Sequence, residues 1–255
     1  MKHELYGKRA LVFGASSGIG RALAIALGQA GARVAVSYNN NAAGAEQTMS
    51  LIPEQQRAII LKADLLKPVE VEQTVTGAVK ALKGLDFAIL VAAQFHMAPL
   101  TECQNNIIEE VVSRNVVAPF VFAREVLKEL KRNGGGKIFF VGTSQGHRPL
   151  INTSLYAGTK GILLNLVKSI CLEHGRDNIQ ALLLSPGVTM SAGNIENFSS
   201  DDERNNAEMI IPAGKILQPE QFADIAMRLL GEDSGYITGS EIMVDGGLLC
   251  TGAQV

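Results

Sequence analysis

The chain has 255 residues, 47% apolar and 19% charged, with a net charge of −2. That balance suits a large packed core, excludes a disordered chain, and argues against nucleic acid or an anionic membrane surface as the main partner. The longest uninterrupted apolar run, residues 87–93, is far short of a bilayer span, residues 1–7 hold no secretory h-region, and Cys103, Cys171 and Cys250 read as reduced, mostly buried thiols of a cytoplasmic protein.

In chain order, a strand pattern at 8–13 runs into Gly14-Ala15-Ser16-Ser17-Gly18-Ile19-Gly20, and a helical pattern at 19–30 follows at once. Glycines there let a backbone approach a pyrophosphate closely, and a helix N-terminus offers open N–H groups with partial positive charge. Gly14, Ser16, Ser17, Gly18, Ile19 and Gly20 are therefore candidate cofactor contacts, although the spacing is G-x-x-x-G-x-G rather than G-x-G-x-x-G. A strand at 33–38 ends on Ser37-Tyr38-Asn39-Asn40-Asn41, where an NAD site wants a carboxylate for the ribose. Neutral Tyr38, Asn39 and Asn40 favour NADP(H), yet no Arg or Lys stands in that segment to pair a phosphate, so NAD(H) stays open.

A helix at 42–52 and a strand at 57–63 lead to Asp64 and Leu65. A carboxylate there can accept from an adenine amine while the next N–H meets a ring nitrogen, or it can serve the start of the helix at 68–82. A strand at 86–93 carries Ala92 near its tip, and a helix at 107–132 contains Asn115 four residues before Pro119. Proline has no N–H for the Asn115 carbonyl, so the helix should kink and free that oxygen. Strands at 137–143, 179–185 and 241–244 alternate with helices at 155–174 and 219–230. No repeat or linker interrupts residues 1–255, which read as one domain. The rhythm predicts an α/β fold: a doubly wound, Rossmann-like parallel sheet of about seven strands with helices on both faces, binding ligand beyond the carboxyl ends of its strands.

Tyr156 and Lys160 lie four residues apart in the helix at 155–174 and so share a face. A fixed cation beside a phenol stabilises the phenolate and should lower its pKa toward the working range, making Tyr156 a usable proton donor or acceptor.

With both ends in view, the chain resembles the single-domain branch of the short-chain dehydrogenase/reductase family. The likeness rests on the glycine loop, Asp64, Asn115, Tyr156/Lys160, Ser185-Pro186-Gly187, Tyr236-Ile237-Thr238-Gly239 and Val244-Asp245-Gly246-Gly247. Ile211-Pro212-Ala213-Gly214-Lys215 and Gln218-Pro219-Glu220 are similar to the 3-oxoacyl-carrier-protein reductase type. The resemblance implies an Asn–Ser–Tyr–Lys active site carried here by Asn115, Thr143, Tyr156 and Lys160, with Thr143 favoured over its neighbour Ser144 for the hydroxyl. It also implies that Lys160 holds the nicotinamide ribose, that Asn115 and a water relay protons, and that Pro186, Gly187 and Val188 turn beneath the nicotinamide, with Ser191 nearby. Two family features are absent together: Phe13 stands for a threonine and Leu90-Val91-Ala92-Ala93 for Asn-Asn-Ala-Gly, which reads as an apolar repacking.

The substrate pocket should draw on Ser144, Phe95, His147 and Met190, with His96, Met97 and Arg148 beside them and residues 190–209 as a lid containing Asn194 and Ser199. No metal cluster is evident in the spacing. The expected activity is an NADP(H)-dependent ketoreductase acting on a small carbonyl or alcohol. The alternatives are an NAD-dependent alcohol or sugar dehydrogenase and a non-catalytic nucleotide-binding protein. Family members commonly form tetramers through paired long helices, so a homotetramer is expected, a dimer second.

Overall fold

Seven short apolar segments pair side by side: β1 (Arg9–Phe13), β2 (Arg33–Tyr38), β3 (Arg57–Lys62), β4 (Phe87–Leu90), β5 (Gly136–Val141), β6 (Ile179–Pro186) and β7 (Ser240–Val244). The computed structural model describes residues 5–190 and 200–251. Every pairing is parallel, in the order β3-β2-β1-β4-β5-β6-β7. The chain winds outward from β1 and then reverses at β4, so the switch point lies between those two strands.

Parallel strands need crossovers, and nine helices among the described residues supply them or extend them: α1 (Gly18–Gln29), α2 (Ala42–Leu51), α3 (Pro68–Leu82), α4 (Asn105–Val112), α5 (Ala118–Arg132), α6 (Ser154–Gly161), α7 (Leu163–His174), α8 (Asp201–Met209) and α9 (Pro219–Leu230). Strand side chains alternate between two cores. Leu11 and Phe13 enter the one closed by α3, α5 and α7, while Ala10 and Val12 enter the one closed by α1, α2 and α9. Phe13 meets Phe122 edge-on at 5.7 Å, and Phe122 meets Phe140 at 6.2 Å. Each such ring contributes about 1.5–3 kcal/mol by leaving water.

Several expectations change. The helix expected at 107–132 is broken by a π turn, Ser113–Val117, which separates α4 from α5. Pro119 cannot complete the ladder to Asn115, so the backbone takes up the extra residue there. The strand expected at 86–93 stops at Leu90 because Val91 and Ala92 both turn their N–H groups to the Phe13 carbonyl, at 2.9 and 3.1 Å. The helix at 155–174 divides at Ile162. Helix α8 lies where only a lid was expected; Ser200 and Glu203 form a reciprocal capping box at its start.

None of the three cysteines is buried: Cys103 and Cys171 are half-buried and Cys250 is exposed, all unpaired. The helical run Ser154–Asp177 is long and apolar enough to cross a bilayer by length and composition, unlike the short run at 87–93. Its inner residues Leu163, Leu166, Val167 and Ile170 are nevertheless buried in the core.

Candidate active site

The β1–α1 loop is shaped by its glycines. Gly14 has φ +91° and Gly18 +52°, and a Cβ on Gly14 would stand 2.6 Å from that of Ala92. A Cβ on Gly20 would come within 1.9 Å of the Gly14 carbonyl oxygen, so α1 can start tight against the loop only with glycine there. Ser17 caps α1 with extended backbone and makes no side-chain cap bond, which leaves the helix start open to an anion. Neighbours that spacing does not reveal hold this loop. Ser37 Oγ accepts from Gly14 N at 3.1 Å, and the Arg21 guanidinium donates to the Ser16 carbonyl at 2.7 Å and to Thr48 Oγ1 at 3.1 Å. Ile19 turns inward to the core.

A cleft of about 420 Å³ opens at the switch point, lined by Gly14, Tyr38, Asn39, Asn40, Leu65 and Ala92 among others. The glycine cradle at one end and this cleft beside it fit a dinucleotide. A larger cleft of about 650 Å³ lies at the opposite, amino-terminal edge of the sheet, beside Leu5, Asp86 and Gly136, away from all of these groups. The fold decides between them, because of the two only the first lies at the carboxyl ends of the strands, beside the glycine loop. Asp64 does not cap α3, whose N-cap is Lys67. Its Oδ1 instead accepts from Leu66 N at 3.0 Å and lies 2.8 Å from Arg114 Nη1.

Asn115, Thr143, Tyr156 and Lys160 converge beyond β4 and β5. The Tyr156 hydroxyl faces the Thr143 side chain, which favours its ionised form, whereas Ser144 is buried. Asn115 is buried in the π turn; its Oδ1 accepts from Gln94 N and its Nδ2 donates to Gln94 O, both at 2.8 Å. The same Nδ2 donates to Thr159 Oγ1 at 3.1 Å, and that hydroxyl donates to the Tyr156 carbonyl at 2.8 Å. Lys160 is buried and donates to the Val141 carbonyl at 2.8 Å.

The electrostatics differ from the expectation of a cation-acidified phenol. Burial pushes the Tyr156 hydroxyl above its ordinary value, and the facing Thr143 side chain offsets only part of that rise. Lys160 has lost its own solvent, which pulls its pKa down to about 8. A low-dielectric setting penalises both charged forms, and the ammonium is committed to a carbonyl rather than to the phenol.

Residues 14–249 match the family described as enoyl-(acyl carrier protein) reductase. The chain is 30% identical to carbonyl reductase family member 4 of Xenopus laevis, over 93% of this chain and 96% of that one. It is 28% identical to the L-rhamnose 1-dehydrogenase (NAD(P)(+)) of a Sphingomonas species, over 96% and 97%. A short-chain dehydrogenase from Burkholderia cenocepacia, solved in complex with NADP, superposes with a TM-score of 0.90 at 28% identity, covering 96% of this chain and 99% of that one. The chain belongs to the short-chain dehydrogenase/reductase family. It is accordingly an oxidoreductase of alcohol or carbonyl groups that works with a nicotinamide cofactor.

As a short-chain dehydrogenase/reductase it departs from the family pattern at Phe13 and at residues 90–93, and the repacking is visible. Phe13 and Leu90 are both buried in one apolar core, and backbone bonds from Val91 and Ala92 to the Phe13 carbonyl tie the strand tips. Gly187 presses on Asp245, where a Cβ would come within 2.8 Å, and donates its N–H to the Val244 carbonyl. Pro186 ends β6; Val188 also borders a separate cleft with Ile211 and Leu217; Met190 N donates to Leu217 O at 2.8 Å. Phe95 lays its ring edge-on against Tyr156 at 5.0 Å. His147 Nε2 lies 2.6 Å from Glu241 Oε2, and Arg148 donates to the Thr251 carbonyl, so both side chains have partners away from the tyrosine. Ser191, Asn194 and Ser199 lie outside the described residues.

Proposed function

We propose that the protein is an NADP(H)-preferring carbonyl reductase, a ketoreductase of 3-oxoacyl-carrier-protein reductase type, with Asn115, Thr143, Tyr156 and Lys160 as its working groups. The observation that carries this reading is the Tyr156 hydroxyl facing the Thr143 side chain beyond the carboxyl end of β5, with Lys160 buried one turn further along α6. A bound nicotinamide supplies the hydride for a carbonyl carbon. Tyr156, whose raised pKa keeps it protonated at neutral pH, gives its proton to the oxygen as charge develops there. Thr143 donates to the same oxygen. Lys160 would hold the ribose hydroxyls. A small cavity with about 10 Å³ of room is bounded by Asn115 and Lys160, enough for one water to pass a replacement proton. Gly14, Ser17 and Gly18 would cradle the pyrophosphate, and Tyr38 and Asn39 would border the ribose.

The preference for NADP rests on the lack of a carboxylate in residues 37–41, with the NADP-bound Burkholderia relative in support. A carbonyl compound with an apolar body, rather than a sugar, is favoured by the exposed Phe95, Met97, Leu150 and Ile151. Their two loops are joined beside Tyr156 by Ala98 N donating to Asn152 O at 2.8 Å. A panel of alkyl and aryl ketones, sugars and alcohols with NADPH and NADP, then NADH and NAD, tests the reading by absorbance of the reduced nicotinamide. Ketone turnover with NADPH is expected, and Tyr156→Phe should abolish it while leaving cofactor affinity unchanged. A Tyr156→Phe protein that still turns over at the native rate sinks the assignment.

A further inference from the structure

Arg114 is a cation inside the nucleotide cleft that the four-residue site does not use. It projects from the π turn, lines the 420 Å³ cleft together with Glu110, and its side chain is only 17% exposed. Nη1 lies 2.8 Å from Asp64 Oδ1, and Nε donates to Glu110 Oε1 at 3.3 Å. Asp64 stands between Ala63 and Leu65, which both line the same cleft, and its backbone N–H is held by Glu70 Oε2 at 2.9 Å. One hydrogen bond, from Leu66 N, and the Arg114 ion pair therefore fall on a single carboxylate oxygen, Oδ1. A carboxylate gripped on one oxygen keeps its plane, and Oδ2 is then held in a set direction for a donor from outside.

The charge count bears on what that donor is. Arg114 carries one positive charge between two carboxylates, Asp64 and Glu110, so its charge is already matched within the protein, which suits a neutral amine rather than a phosphate as the outside group. We propose that Arg114 is a positioning residue for base recognition: it orients Asp64 so that the cleft reads the exocyclic amine of the adenine, and it does not serve the 2′-phosphate. The proposal rests on the dinucleotide reading of the cleft.

Binding measured by protein fluorescence or calorimetry tests it, using NADP, NAD and their hypoxanthine counterparts, in which a carbonyl replaces the amine. The native protein should prefer the adenine forms by about tenfold, the scale of a hydrogen bond to a charged group. Arg114→Met should weaken NAD and NADP by the same factor and bring the adenine-to-hypoxanthine ratio close to one, while Arg114→Lys restores part of the ratio. Asp64→Ala should give the same collapse, and adding Arg114→Met to it should cost nothing more. Arg114→Gln, which keeps a long polar side chain without the charge, stands in for Arg114→Met should that variant fail to fold. A loss confined to NADP, or an unchanged base ratio in a folded variant, overturns the proposal. A native protein that binds none of the four dinucleotides overturns the cofactor reading itself.

Discussion

A lysine ammonium enclosed beside Phe140, Val141 and Leu163 has given up most of its water for one carbonyl partner. Its folded pKa of about 8 lies below the ordinary 10.5. Between those values the unfolded chain binds a proton that the folded chain releases, so stability rises as pH climbs through that window. Below about pH 8 the folded state bears the full cost. Lys160→Met should therefore raise the unfolding free energy at pH 7 by about 1–3 kcal/mol, discounted for the Val141 carbonyl left without its donor. The gain should vanish above pH 10.5. Urea titrations at both pH values measure this, and equal or lower stability at neutral pH would refute it. At the next strand end, Thr143 touches the Tyr156 hydroxyl while Ser144 is buried. Thr143→Ala should lower kcat about a hundredfold, as loss of one donor to a developing charge does, whereas Ser144→Ala should leave kcat close to native. The reverse ranking in steady-state assays would reassign the hydroxyl.

At the scale of elements, placement depends on where a backbone is denied its regular partner. Pro119 converts one long helix into α4, a π turn and α5, and the turn sets Asn115 where its amide clamps Gln94 beyond β4. The start of α1 depends in the same way on absent side chains. Gly20→Ala would drive a methyl to within 1.9 Å of the Gly14 carbonyl, which must displace the helix start. Cofactor affinity should fall at least about tenfold, and stability by about 1–3 kcal/mol, read by fluorescence titration and thermal melting. Gly158 in α6 is the contrast, exposed and with nothing within 4 Å of an added Cβ. Gly158→Ala should stabilise the fold by about 0.5–1 kcal/mol with turnover intact. Destabilisation by that change would show α6 to be held more tightly than its surroundings indicate. The capping box of α8 was readable from Ser200 and Glu203, though residues 190–209 were expected only as a lid.

For the whole molecule, helix faces left apolar bear on assembly. Val117 and Phe120 at the start of α5 and Leu172 on α7 are exposed. We expect a homotetramer, a dimer second, and Phe120→Glu with Leu172→Glu should shift it to smaller species in analytical ultracentrifugation; a native monomer would refute the expectation. Strand runs, glycine spacing and the Tyr156/Lys160 interval were legible in the chain because they are local, fixed by period, backbone freedom and helical repeat. Sheet order, the hold of Ser37 on Gly14, the hold of Arg114 on Asp64 and the low pKa of Lys160 were not, since each depends on which distant segments exclude water together. A local pattern names the groups that can do chemistry. Their charge states follow from long-range burial, which is why spacing forecast an acidified phenol and the packed site holds a protonated one.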